Sequence, residues 1–173
     1  MKAAFLLLPL AVSLAQTSPP APNPHVEREV AKALSKLMYV SVFDDIEYRV
    51  EGYNVILAGE VRRPMLRADA EALVRHVEGV EQVTNDIEVL PLSPFDEAIR
   101  RATYLALIRQ PTLTSYFLPN VSSIRIIVKN GNVRLGGVVS NQADADMARL
   151  TAGAVPGILS FVSKLQVAAP DSR

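Results

Sequence analysis

The sequence predicts an α+β protein made of two tandem αββαβ modules, each a three-stranded sheet with two helices packed on one face. Three observations predict it: a stretch that repeats at a constant offset, period-two alternation of apolar and polar residues around two tight turns, and apolar stripes of helical period flanking those turns. Residues Val50 to Val61 lie over Val128 to Val139 at an offset of 78, with six of twelve positions identical. The same offset carries Val77, Gly79, Val80, Val83 and Val89 onto Val155, Gly157, Ile158, Phe161 and Val167. Upstream the offset falls to 73, pairing Val26, Ala33 and Leu34 with Ile99, Ala106 and Leu107, so the second copy carries a five-residue insertion near Tyr116 to Ser123. Loops absorb insertions of that kind.

Each copy opens on a helix. Val26, Val30, Ala33, Leu34 and Leu37 form an amphipathic stripe, and Ile99, Thr103, Ala106 and Leu107 repeat it. A hairpin follows, with Ile46, Tyr48 and Val50 on one face and Glu47, Arg49 and Glu51 on the other. Gly52 leads the first turn, which suits type II′, while Asn130-Gly131 suits type I′. Both turns set one register: Val50 opposite Val55, Tyr48 opposite Leu57, Val128 opposite Val133 and Ile126 opposite Leu135. The second helix, Met65 to Val77, presents Leu66, Ala70, Leu73, Val74 and Val77, matched by Met147, Leu150, Thr151 and Val155 in the other copy. Gly59 and Gly137 recur on the covered face of a strand, which points to close approach of a helix backbone. Gly79 and Gly157 read as helix stops, and the third strands run Val83 to Val89 and Phe161 to Val167.

Outside the modules, Lys2 precedes an apolar run, Ala3 to Leu14, with Ser13 and Ala15 placed for cleavage after Ala15. Residues 1–15 therefore read as a secretory signal, too short and too interrupted by Pro9 for a span of roughly 20 apolar residues. Export to the periplasm is expected, with no transmembrane span in the mature chain. The absence of cysteine excludes both a disulfide framework and a thiol-linked lipid anchor. Residues 16–24 form a proline-rich tether, 25–91 the first module, 92–169 the second and 170–173 a short tail; Pro91-Leu92-Ser93-Pro94 marks the boundary.

The hairpin endings Leu57-x-Gly59-x-Val61 and Leu135-x-Gly137-x-Val139, and the closing Gly79-Val80-x-x-Val83-x-Asn85-x-Ile87-x-Val89, resemble the BON domain of bacterial osmotic-shock, secretin-associated and envelope proteins. The resemblance covers nearly all of residues 25 to 168. It departs at Ser163, where the family usually has Asn, so the chemistry of that segment is expected to differ. The resemblance implies an envelope location, attachment to phospholipid surfaces and a part in envelope stress protection; it carries no catalytic motif.

The residues themselves point away from catalysis. His25 and His76 are the only histidines, and both read as solvated. Asp44, Asp45 and Glu47 crowd one loop, and solvation outweighs a calcium site there. No phosphate loop or dinucleotide fingerprint appears, and no cofactor, metal or nucleic-acid partner is expected.

Charge placement says more. Residues 25–91 carry net −5 and residues 92–173 net +4. Glu47 and Glu51 on the outer hairpin face of the first copy become Arg125 and Lys129 in the second, with Arg134 beside them. Three readings stand: two solvated faces that have drifted apart; a basic face for anionic headgroups, at about 1 kcal/mol per cation; or two faces that dock, within one chain or head to tail between chains, as a self-association module or one that binds another protein of an envelope assembly. Arg62, Arg63 and Arg67 cluster where the second strand gives way to the second helix, as a further anion site or as solvated loop residues. Tyr53 at the hairpin tip and Phe117 and Leu118 in the insertion are candidates for contact with a membrane interface, or, for the latter two, for folding back over the sheet edge.

Overall fold

The computed structural model describes residues 21–118 and 123–169. The signal-like segment 1–15, residues 16–20 of the tether, residues 119–122 of the insertion and the tail 170–173 lie outside the described residues.

Both modules have the αββαβ order. In module one, α1 (Pro24–Leu34) precedes β1 (Asp45–Glu51), β2 (Asn54–Val61) and α2 (Pro64–Arg75). The third strand follows in two pieces, β3 (Gln82–Asn85) and β4 (Glu88–Val89). In module two, α3 (Pro94–Ile108) and a 3₁₀ turn (Thr114–Phe117) precede β5 (Ile124–Lys129), β6 (Asn132–Val139), α4 (Gln142–Gly153) and β7 (Ser160–Val167). Each middle strand pairs antiparallel with the strand before it and parallel with the strand after α2 or α4.

Local chemistry explains the starts of these helices. Asn23 accepts the N–H groups of His25 and Val26 through Oδ1, and Pro24 takes the first helical position, where a missing N–H costs nothing. Pro24 is therefore the first residue of α1 as well as the last of the tether. Ser93 caps α3 by accepting from Asp96 N, and Asn141 caps α4 by accepting from Asp144 N. The hairpin registers are those the sequence predicts, Val50 opposite Val55 and Ile126 opposite Leu135 included. Asn130 (φ 51°) and Gly131 (φ 76°) both sit at positive φ, as a type I′ turn requires, and Gly52 (φ 64°) leads the first turn.

Four expectations need correction. Gly59 and Gly137 have φ near 113° and 112°, and a Cβ there would fall 2.1 Å from Asp45 carbonyl O and 1.8 Å from Ser123 carbonyl O. The close approach is to the neighbouring strand and not to a helix. The inner face of α4 is Ala145, Ala148 and Ala152, with Val155 beyond its end, whereas Met147 (40% exposed) and Leu150 (67%) point outward. α2 ends at Arg75 and α4 at Gly153, so Gly79 and Gly157, both at positive φ, serve the turns that follow and not the helix ends. Finally, the third strand of module one is interrupted. Asn85 donates through Nδ2 to Arg67 O and Glu71 Oε2 and accepts from Ile87 N, which turns its side chain toward α2 and breaks the ladder. Ser163 stands at the equivalent position of module two, and β7 is continuous there.

The core is two clusters. Val26, Val30, Leu57, Leu66 and Ile87 lie at the centre of one, and Ile99, Leu107, Leu113, Ile126 and Leu135 at the centre of the other. Fully burying each such side chain contributes on the order of 2 kcal/mol.

Candidate binding surfaces

The helices leave one face of each sheet uncovered, and these two faces meet. Arg134 of β6 donates through Nη1 to Asp45 Oδ2 at 2.8 Å and through Nη2 to Glu60 Oε2, so one guanidinium holds two carboxylates of module one. Lys129 Nζ reaches both oxygens of Glu88, at 2.7 and 2.8 Å. Glu97 Oε2 lies 3.2 Å from Arg62 Nη2 and 3.3 Å from Arg100 Nη1, joining the modules from the α3 side. Ile127, on the outer face of β5, is only 3% exposed, as a docked face requires. Burial lowers the Arg134 pKa, but the hydrogen bonds and attraction of Asp45 and Glu60 outweigh it and raise the group above its ordinary value.

An apolar peg reinforces the contact. The segment after α1 sends Val42 and Phe43 into module two: Ile126 N donates to Val42 O at 2.8 Å, and Phe43, Tyr104 and Phe117 stack edge to face at centroid distances of 5.9 and 5.7 Å. Arg62 covers the Phe43 ring from 5.4 Å. Buried Asp44 fixes the base of the peg, accepting from Ser41 N, Ser41 Oγ and Arg62 N.

The named candidates are accordingly dispersed. Lys129 and Arg134 are paired with module one, and Arg125 lines a crevice beside Asp45. Arg62, Arg63 and Arg67 diverge: Arg62 turns to Glu97, Arg67 donates to Asn85 O, and Arg63 stacks over the Tyr39 ring at 5.7 Å. Phe117 packs against Tyr104, while Tyr53 and Leu118 are about half exposed. His25 and His76 are at the surface. Asp44 and Asp45 spend their oxygens on hydrogen bonds and the Arg134 pair.

A second surface had no place among the sequence candidates. Met38 (66% exposed), Tyr39 (61%) and Val40 stand out from the segment after α1, and Tyr39 has φ 67°, a backbone region that aromatic residues rarely adopt. Behind them Leu37, Ala72 and Leu73 line an apolar groove of about 430 Å³. The signal was present in the run Leu37 to Phe43, six of whose seven residues are apolar although it belongs to neither helix nor strand.

A duplicated αββαβ unit whose bare sheet faces close on each other through ion pairs defines a tandem α+β repeat protein. The family model described as "BON domain" matches residues 23–91 and again residues 96–169, and the chain belongs to that family. None of the curated proteins compared matches the sequence. Among solved structures, the chain is similar to the C-terminal domain of CdsD, a structural protein of the type III secretion system of Chlamydia trachomatis, at 12% identity and TM-score 0.32, covering 85% of this chain and 66% of that one. The chain thus spans just under two thirds of that structure. A second CdsD structure is matched at 12% identity and TM-score 0.28, covering 84% of this chain and 93% of that one. Among the described residues no helix is long and apolar enough to cross a membrane.

Proposed function

We propose that this is an exported, non-enzymatic envelope protein that attaches to anionic phospholipid surfaces through the Met38-Tyr39-Val40 projection of module one. The observation that carries the reading is the projection itself: three apolar side chains held outward, with Arg63 stacked on Tyr39 and Lys36 beside the groove. Asp44 and the Phe43 peg fix one end of the segment, so the exposure is built into the fold. Apolar tips that enter an interface contribute in proportion to buried area, and each nearby cation adds about 1 kcal/mol at an anionic surface. The leader-like N-terminus and membership of the BON family support the envelope location and a role in stress protection. The basic face of module two is spent on docking, which favours module one as the membrane-facing side.

Vesicle flotation tests this. The protein floats with phosphatidylglycerol-containing vesicles and about tenfold less with phosphatidylcholine alone. Met38→Ser with Tyr39→Ser abolishes flotation, whereas Arg134→Glu leaves it in place. Equal binding to both vesicle types, or undiminished binding by the double variant, rejects the reading.

A further inference from the structure

The duplication supplies an internal control, since a feature present in one module and lost in the other is not required by the fold. Helix α4 carries two apolar stripes. Ala145, Ala148 and Ala152 face the core, while Ala143, Met147, Leu150 and Ala154, at spacings of four, three and four, lie exposed on the other side. Such spacing makes a seam for a second helix. The equivalent positions along α2 are Met65, Asp69, Ala72 and His76, and in module one Leu37, Met38 and Tyr39 flank that helix and line a groove with Asp69, Ala72 and His76. In module two Leu113 and Tyr116 turn inward and are buried. That helix face is broken by Asp69 and His76 in module one and is apolar throughout in module two.

The adjoining strand differs in the same sense. Module one ends its sheet in the interrupted β3 and β4, whereas β7 runs unbroken for eight residues at the end of its sheet. A long continuous edge offers a row of free N–H and C=O groups to another strand. β7 has no proline and one charge, Lys164, with exposed Val162 in the strand and exposed Leu159 just before it. α4 packs over β6 and β7, so seam and edge belong to one side of module two.

We infer that a second copy of this chain docks there, pairing β7 antiparallel with its own counterpart about Ser163 and bringing the two α4 helices together. Self-pairing is favoured by the order of residues along the strand. An antiparallel two-fold must place same-face residues opposite each other. Centring it on Lys164 would oppose two ammonium groups. Centring it on Ser163 sets Val162 opposite Lys164, Phe161 opposite Leu165 and Leu159 opposite Val167 of the second copy, with no like charges in register. On α4, Asp146 already pairs with Arg149 at 2.9 Å, and an antiparallel neighbour presents the same two charges in reverse order, so the helix rims are complementary as well. This surface is on module two and is independent of the membrane projection on module one.

The chain contains no cysteine, which makes single-cysteine variants a direct test. Opposed residues of an antiparallel pair have Cα atoms about 5 Å apart, within disulfide reach. Ser163→Cys is expected to give a covalent dimer on mild oxidation. Ser160→Cys, whose counterpart would lie roughly 20 Å away, is expected to stay monomeric on the same gel. In sedimentation the unmodified chain self-associates, and Leu150→Glu with Val162→Glu, both at exposed positions, raises the dimer Kd by about tenfold or more. A chain that sediments as a monomer up to about 100 μM with Ser163→Cys cross-linking no faster than Ser160→Cys overturns the inference. So does a dimer that survives the Leu150 and Val162 substitutions, since the second copy then sits elsewhere. Circular dichroism of each variant shows whether the fold is intact, and Ser163→Cys changes a single atom, so the cross-linking arm stands even where the glutamates unfold the chain.

Discussion

Gly136 and Gly137 are consecutive residues of β6, yet the fold asks different things of them. A Cβ on Gly137 would meet Ser123 carbonyl O at 1.8 Å, on a backbone at φ 112° that L side chains rarely adopt. A Cβ on Gly136 would meet only the ends of flexible side chains, Arg134 Nη1 at 3.3 Å and Asp45 Oδ2 at 3.6 Å. Gly137→Ala is therefore expected to lower stability by roughly 2–4 kcal/mol, through strain and displacement of the β5 entry, and Gly136→Ala by less than about 1 kcal/mol. Denaturant midpoints followed by circular dichroism decide it; two alanines of equal cost would mean that the β5 entry yields freely. The repeat made the importance of Gly137 and Gly59 legible, because both copies keep glycine there. Its cause was not legible, since period-two patterning says which face a residue occupies and not how near the neighbouring strand passes.

At the scale of elements, the start of the first helix or the residues just before it hold the hairpin turn in each module, by different chemistry. In module one the backbone does it: Gly52 N donates to Ala21 O, and Asn23 N donates to Gly52 O. In module two Asp96, fully buried, accepts from Asn130 N and Gly131 N at 2.9 and 2.8 Å, and Arg100 one turn later donates to Val128 O. Asp96→Ala leaves a buried Gly131 N–H without an acceptor and is expected to cost about 2–4 kcal/mol. Asp96→Asn, which keeps one accepting oxygen, is expected to cost about half as much. Urea denaturation of the two variants checks this, and an unchanged midpoint for Asp96→Ala would show that the type I′ geometry alone holds the turn. Asp96 and Arg100 were invisible to pattern reading because charged residues on a helix are normally assigned to solvent. The α4 stripe departs from the pattern for a related reason: the helix has apolar residues on two faces, and the alanines, small enough for close packing on the sheet, are the ones inside, while the larger Met147 and Leu150 face outward. The order of elements and both hairpin registers were legible because each rests on turn residues and alternation, which are local.

For the whole molecule, opposite net charges on two halves of one chain admitted drift, lipid attraction or docking, and the structure realises docking within the chain. The contacts are unequal. Arg134, Asp45 and Glu60 have side chains 20%, 14% and 26% exposed, whereas Lys129 and Glu88 are 43% and 50% exposed, so water and salt screen the second pair far more. A double-mutant cycle between Arg134→Ala and Glu60→Ala is expected to give a coupling of roughly 1–3 kcal/mol, against less than about 1 kcal/mol for Lys129→Ala with Glu88→Ala. The raised Arg134 pKa has a definite sign: its contribution is complete below the ordinary arginine value and is lost only as pH rises through the higher folded-state value, so mild alkali leaves the docking intact. Arg134→Glu places a third carboxylate against Asp45 and Glu60 and leaves only the Phe43 peg and the outer pairs to hold the modules. Small-angle scattering is then expected to show a larger radius of gyration for Arg134→Glu than for the parent chain, and 1 M salt to narrow the difference by screening the repulsion. Equal radii for the two proteins at low salt would mean that the Phe43 peg and the backbone bond from Ile126 to Val42 suffice to hold the modules, with the charges setting only their register.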